Sequence, residues 1–274
     1  GDAETVDVGY VEDTAQTRIL AKGETRTYDS LGRAYFVEYV QKYLSRNVEV
    51  PVDDIAFDRT GRIRAAQDSL LDSGRHMVER YIWDLLTANP VGMDQVSLLS
   101  DSHPNGPNGT NQSNILTADL GFPAYDAAQD LMRSLGRENG DPLDIAPTHL
   151  FVPPQLRRVA LEIAGETRPI FVDDTGSEAT TGVVAATNIP NVFQGEITVV
   201  ISKYFPNPTD YLFMDLSRDS YRPWGAAFAI RPRGEVTTNM DSDAVRDRRV
   251  VPHIVEAQLA TGPAHWFTVC GRLG

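Results

Sequence analysis

Cysteine is nearly absent from this 274-residue chain; Cys270 is the single example. One thiol excludes an intramolecular disulfide framework and any metal site built on several cysteines. Its place near the end of an apolar segment marks it as a packed residue. No apolar run approaches the roughly 20 residues that a membrane span needs. Cations are in deficit, with 25 Lys and Arg against 38 Asp and Glu, a net charge of −13. Phosphate binding needs clustered Lys and Arg, so the balance argues against a surface that grips nucleic acid and favours solubility at high concentration. The opening GDAETVDVGY lacks the basic head and apolar core of a secretory leader. Hydrophobic and charged contents of 41% and 23% are ordinary for a globular protein. The length suffices for one large domain or two smaller ones.

Motifs that carry chemistry are missing as well. There is no Walker-type phosphate loop, no GxGxxG after a strand and no GxSxG elbow. The histidines, His76, His103, His149, His253 and His265, do not pair at helical ligand spacing. Asp101-Ser102-His103 places triad residue types side by side, but sequence neighbours rarely converge on one reacting atom, and Asp101 and Ser102 read as loop-capping groups. Asp173-Asp174 with Glu178 lacks the alternating ligand spacing of a calcium loop and reads as a solvated acidic loop. Asn108-Gly109-Thr110 and Asn111-Gln112-Ser113 match the glycosylation pattern but serve better as turn residues. No catalytic, cofactor-binding or metal-ligating residue is assigned, and the chain is expected not to be an enzyme. A hydrolase would have to rest on His103 with Asp173 or Asp174.

What is present is organised around residues 58–90. Ile63, Ala66, Leu70, Gly74, Met77, Tyr81 and Leu85 recur by threes and fours, with Leu71, Val78 and Ile82 widening the stripe. This predicts an amphipathic helix from about Thr60 to Thr87, stopped by Pro90 and about 40 Å long. Before it, Tyr, Phe and Val alternate through AYFVEYV and again at Val48, Val50 and Val52, predicting a two-stranded ribbon over about 18–52, preceded by an arm. An isolated ribbon is marginal in water, so its aromatic faces need a cover.

Downstream, a turn-rich loop covers 96–114. A helix enters near Pro123 with Tyr125, Ala128, Leu131, Met132 and Leu135 on one side. A strand covers Thr148–Val152, and a third helix opens at Pro153-Pro154, with Leu156, Val159, Ala160 and Ile163 inward. Residues 165–195 read as a long loop. Strands follow at Ile197–Lys203, Tyr211–Leu216 and Ala226–Arg231, and a last pair at Val250–Ala260 and His265–Cys270. The fold class is α+β with mixed sheets.

The order of these features resembles the Mu-type major head subunits of tailed phages. His103-Pro104 precedes an Asn/Gly-rich stretch, and an amphipathic helix and Gly140-Asp141-Pro142-Leu143 follow. A strand then ends in Val152-Pro153-Pro154, with ITVVISKYF, DYLFMDL and FAIRPRG in sequence after it. The likeness spans about residues 30–270. It implies the Hong Kong 97 capsid fold: an arm at 1–17, an extended loop at 18–57, a peripheral domain with the spine helix at 58–119, an axial domain at 120–225, and return strands of the peripheral domain at 226–274. It implies a major capsid protein that forms pentamers and hexamers and closes an icosahedral shell around phage DNA without reading its sequence. Its partners would be other copies of itself, with scaffold, portal and decoration proteins, and no membrane. It would be located in the virion after assembly in the host cytoplasm. Some relatives lose an N-terminal segment to a maturation protease, which would suit a chain opening at Gly1. Lysine–asparagine cross-linking occurs in some members, but no partner is evident for Lys22 or Lys42. The ribbon would lie across the adjacent subunit, so Tyr39 and Tyr43 are expected at that contact. An encapsulin-like nanocompartment shell is the alternative within the same fold.

Overall fold

The computed structural model describes residues 5–11, 34–57, 61–104, 110–137, 140–165, 167–172, 185–191, 193–218, 221–230, 237–238 and 243–274. Its elements run β1 (Thr5–Val11), β2 (Ala34–Val40), β3 (Lys42–Pro51), α1 (Val52–Phe57), α2 (Arg62–Thr87), α3 (Phe122–Ser134), β4 (His149–Val152), α4 (Arg157–Ala164), β5 (Thr167–Val172), β6 (Ala185–Pro190), β7 (Thr198–Ile201), β8 (Tyr211–Met214), β9 (Trp224–Ile230), β10 (Thr237–Thr238), α5 (Asp243–Arg248), β11 (Val250–Pro263) and β12 (Val269–Arg272). The class is α+β, and the chain falls into two compact units. One comprises Gly1–Val8, Glu38–Leu86 and Gly225–Gly262; the other comprises Gly9–Val37, Thr87–Trp224 and Pro263–Gly274.

In the first unit, β11 is the strand on which the sheet is built. It pairs with β3, β9 and β10, meeting β3 antiparallel from Val250↔Pro51 to Leu259↔Lys42. Alternation along β3 sends Leu44 into a cluster with Val78, Met77, Tyr81 and Ile82 of α2 and with Ala257 and Leu259 of β11. Arg46, on the same face, donates to Ser73 of α2 at 2.7 Å. The buried stripe of α2, Leu70, Gly74, Val78 and Leu86, follows the predicted spacing. Gly74 is where helix and sheet come closest, since a Cβ there would overlap Val255. Beyond the helix Asn89 takes φ 51°, and Pro90 prevents continuation.

In the second unit a mixed sheet has the order β12–β8–β4–β7. β4 and β7 are parallel, while β8 is antiparallel to both β4 and β12. Ala124, Tyr125, Ala128, Gln129 and Met132 form the buried face of α3, and Ala160 and Ile163 that of α4. Leu135, expected on the α3 stripe, is buried just past the helix end. Pro154–Leu156 forms a 3-10 turn before α4 rather than its first turn.

Several expectations need correction. The ribbon expected over 18–52 is not a local pair: β3 joins β11, some 200 residues on, and β2 joins β1, part of the expected arm. Residues 18–33 lie outside the described residues. The expected 165–195 loop contains the antiparallel pair β5–β6, from Thr167↔Pro190 to Val172↔Ala185. The last two strands are not a pair, because β11 and β12 belong to different sheets. In each case alternation or composition signals a strand, but its partner is chosen by shape and burial far along the chain.

Tyr39 is corrected too. It is only 5% exposed, and its ring lies where Cβ atoms on Gly225 or Gly262 would intrude. Burial pushes its phenol up to about 12. It is therefore a core residue of its own subunit. Tyr39→Asp places a carboxylate in that site and should destabilise the first unit by about 3 kcal/mol or more. Chemical denaturation of the purified chain checks this; an unchanged midpoint and slope would contradict the assignment.

Candidate functional site

Between Asn89 and Leu120 the described chain has little regular structure, so its backbone groups need other partners. Side-chain amides supply many of them. Asn89 accepts the Leu99 N–H at 2.8 Å and donates back to the Leu99 carbonyl at 3.0 Å. Gln112 does the same with Gly136, both bonds at 2.9 Å. Asn114, fully buried, donates to the carbonyls of Leu98, Trp266 and Val269 at 2.7, 3.2 and 3.0 Å, and its Oδ1 accepts the Ser100 N–H at 2.8 Å. Through Asn114 two loop strands and the segment entering β12 share one node. Gly271 extends it: its N–H donates to the Asn114 carbonyl and its carbonyl accepts from Leu116. Asn191 plays a similar part near α4, donating to the carbonyls of Ile163 and Gly165.

His103 sits inside this construction. Its Nδ1 donates to Asp94 Oδ2 at 2.6 Å, both side chains being buried. Its ring stacks on Trp266 with centroids 3.9 Å apart and planes within 2°. Nε2 is buried without a hydrogen-bond partner among the described residues. The neighbouring triad types do not join it. Asp101 and Ser102 are exposed, and Ser102 Oγ lies 3.2 Å from Ser100 Oγ. The loop-capping role falls to Ser100, whose Oγ accepts the Ser102 N–H. A buried imidazole whose carboxylate partner is equally buried, and whose other nitrogen meets no described nucleophile, orients a loop; it does not present a general base to substrate. Asp173, Asp174, Glu178, Asn108, Gly109 and Lys22 lie outside the described residues.

Among the described residues no group of three His, Cys, Asp or Glu side chains could hold a metal ion, and no described helix is long and apolar enough to cross a membrane. Cys270 is buried, and burial pushes its thiol up, away from the reactive thiolate. Burial also pulls His265 down to about 4. Its ring lies beside Tyr221 and Phe267, with centroids 5.5 and 5.1 Å away. Sequence reasoning missed Asp94, Asn114 and Trp266. An amide in a stretch rich in Asn, Gly and Pro reads as one more turn residue, and nothing local marks it as a hub.

Exposed apolar side chains offer the remaining functional surface. Val40, Tyr43 and Ile55 belong to the first unit, and Val91, Ile115, Leu161, Ile201 and Leu216 to the second. Tyr43 is 57% exposed, and its hydroxyl donates to Glu256 on the neighbouring strand.

A family model described as phage capsid protein matches residues 37–268. No curated protein matches the sequence. Among solved structures, the chain is similar to the capsid of bacteriophage JBD30 decorated with minor capsid protein trimers, at 15% identity and TM-score 0.54 over 73% of this chain and 85% of that one. It is similar to a chain of Microbacterium phage Oxtober96, at 12% identity and TM-score 0.55 over 100% and 87%. It is also similar to the capsid of cyanophage P-SCSP1u, at 11% identity and TM-score 0.56 over 98% and 83%. These likenesses show a shared fold.

Replacing Asn114 with Ala strands the Leu98 and Val269 carbonyls and the Ser100 N–H, while the Trp266 carbonyl keeps the Val269 N–H, and should cost about 3 kcal/mol or more. Thermal melting of the variant should show a fall of roughly 10 °C; a shift under 2 °C (about 0.5 kcal/mol on the same scale) would remove Asn114 from the role of hub. His265 adds a pH dependence. Between its unfolded value near 6.5 and about 4 in the fold, the unfolded chain binds the extra proton. The stability that rests on neutral His265 is therefore present above pH 6.5 and lost as pH falls through that window, on the order of 3 kcal/mol in all. His265→Phe should flatten the slope of melting temperature against pH there, and an unchanged slope would assign it to other groups.

Proposed function

We infer the role of this chain from an established premise: it belongs to the phage capsid protein family, and it is a major capsid protein, a structural subunit of a phage shell. The observation that carries this is the family match over residues 37–268, which takes in both compact units. The finer reading concerns assembly. Subunits associate with one another into pentamers and hexamers, which close an icosahedral shell around double-stranded DNA. Head-to-tail contacts close into rings when the rotation between neighbours permits, and many modest contacts per subunit sum in the closed shell. The charge of −13 supports a protein that encloses DNA without gripping it.

In this reading α2 is the spine of a peripheral domain, residues 18–57 include an extended loop toward a neighbour, and β5–β6 belongs to an axial domain within 120–225. Scaffold, portal and decoration proteins are the further partners, and assembly takes place in the host cytoplasm before the subunit resides in the virion. The chain performs no catalysis. The nanocompartment alternative is disfavoured because the matching family is one of phage capsid proteins.

Negative-stain electron microscopy with size-exclusion chromatography tests the assembly. Icosahedral particles, or rings of five and six, are expected; a persistent 30.2 kDa monomer at high concentration and every salt condition would overturn it. Tyr43, unlike Tyr39, remains a contact residue in this reading. Tyr43→Asp should leave a folded monomer or capsomer with a near-normal melting temperature and abolish closed shells. Intact particles of normal size from this variant would remove Tyr43 from the interface.

A further inference from the structure

The mixed sheet of the second unit ends in two unlike edges, and their difference suggests how copies meet. At one edge stands β7, with α4 packed beside it. This edge exposes Ile201 at 42% and Leu161 at 45%. Around them lie Arg157, Arg158 and Lys203, all exposed. Arg158 is paired with Glu162 at 3.3 Å, while Arg157 and Lys203 have no ion-pair partner among the described residues. The local balance is positive.

At the opposite edge stands β12. Outside it the chain runs alongside at Ile115, bridged in parallel to Gly271. Beyond that comes Ser100, backbone-bonded to Asn114. This edge exposes Ile115 at 39%. Its carboxylates are Asp119, which binds Arg272 at 2.6 Å, and Asp101, exposed and without an ion-pair partner among the described residues. The local balance is negative. Each edge therefore sets exposed aliphatic side chains among charges of one prevailing sign, and the signs are opposite.

We propose that the α4/β7 edge of one copy docks on the 115–119/β12 edge of the next, head to tail, with Leu161 and Ile201 against Ile115 and with Arg157 and Lys203 facing Asp101 and Asp119. The occupant is a second copy of this chain. A self-complementary pair of faces on opposite sides of one sheet gives a heterologous contact, the kind that generates rings. Complementary charges at its rim set register and speed encounter, and like charges there are strongly unfavourable. The proposal rests on the capsid reading and specifies which faces carry the contact within a ring.

Charge exchange tests it on the full-length chain. One variant carries Arg157→Glu and Lys203→Glu, and a second carries Asp101→Lys and Asp119→Lys. All four side chains are exposed, so circular dichroism and melting temperature should stay close to those of the unaltered chain. Each variant alone should lose at least tenfold in ring or shell yield by size exclusion and electron microscopy. Mixing the two should restore rings of six in which the variants alternate, since altered edges meet at one junction and unaltered edges at the next, while rings of five, an odd number, should stay lost. A chain carrying all four changes should recover rings. The yield from the unaltered chain should fall as salt rises from 50 to 500 mM (a Debye length shrinking from roughly 14 to 4 Å). If the unaltered chain assembles and both charge variants assemble equally well, the edge contact is overturned and the capsid reading stands. If the unaltered chain forms no ring or shell, the capsid reading fails with it. If the charge variants lose assembly together with their circular dichroism signal, Leu161→Ser with Ile201→Ser decides: full ring yield from that folded variant overturns the contact, and loss of rings supports it.

Discussion

A buried carbonyl without a donor costs roughly 1–3 kcal/mol, and Asn114 is the donor that meets the carbonyls of Leu98 and Val269. One side chain gathers Leu98, Trp266 and Val269 from regions more than 150 residues apart and holds Ser100 with its oxygen. The β12 segment is thereby placed between β8 and residues 114–116. The aromatic stack of Trp266 on His103 sits directly against that placement. Much of the second unit follows: without the segment at 263–272, its sheet lacks a strand and its irregular loop lacks the partners for its backbone.

The first unit depends on a different constraint. Its long helix approaches the sheet closely because position 74 has no side chain, and Val255 fills the space. β11 then serves as common partner to three strands while its inner face meets α2. Ion pairs on the outer face of α2, such as Arg80 with Asp84 at 3.5 Å, are exposed and contribute little. For a shell subunit this division is apt. Rigidity comes from interior packing and amide brackets, which leaves exposed aliphatic and charged side chains free to serve contacts between copies.

Much of this was legible in the residues. The threefold and fourfold spacing in 62–87 and 122–134 could only be buried as helices, and both helices are present with nearly the predicted faces. β4, β7 and β8 lie within the predicted strands because β-branched and aromatic runs bounded by Pro, Gly and Asn leave few other conformations. Order and spacing of short motifs were enough to indicate the family, even though no catalytic pattern was present. The role of Tyr39 was not legible. Its strand reads as aromatic on both faces, and nothing nearby says that Gly225 and Gly262 leave room for its ring.

Local periodicity, turn chemistry and charge balance are properties of neighbouring residues, so the sequence by itself determined the three longer helices, most strands, the acidic balance and the want of a catalytic motif, but not the short helices α1 and α5. Pairing is a property of distant residues brought together by burial and hydrogen-bond geometry. Only the tertiary structure decided that β3 joins β11, that β5 joins β6 inside an apparent loop, and that β11 and β12 part into separate sheets. It alone decided that His103 is bonded to Asp94 rather than Asp101, and that Asn114 is a hub rather than a turn residue. The physical reason is the same in each case: an amide, an imidazole or an extended strand has bonding capacity that its neighbours in sequence do not use, and the fold chooses which distant group satisfies it.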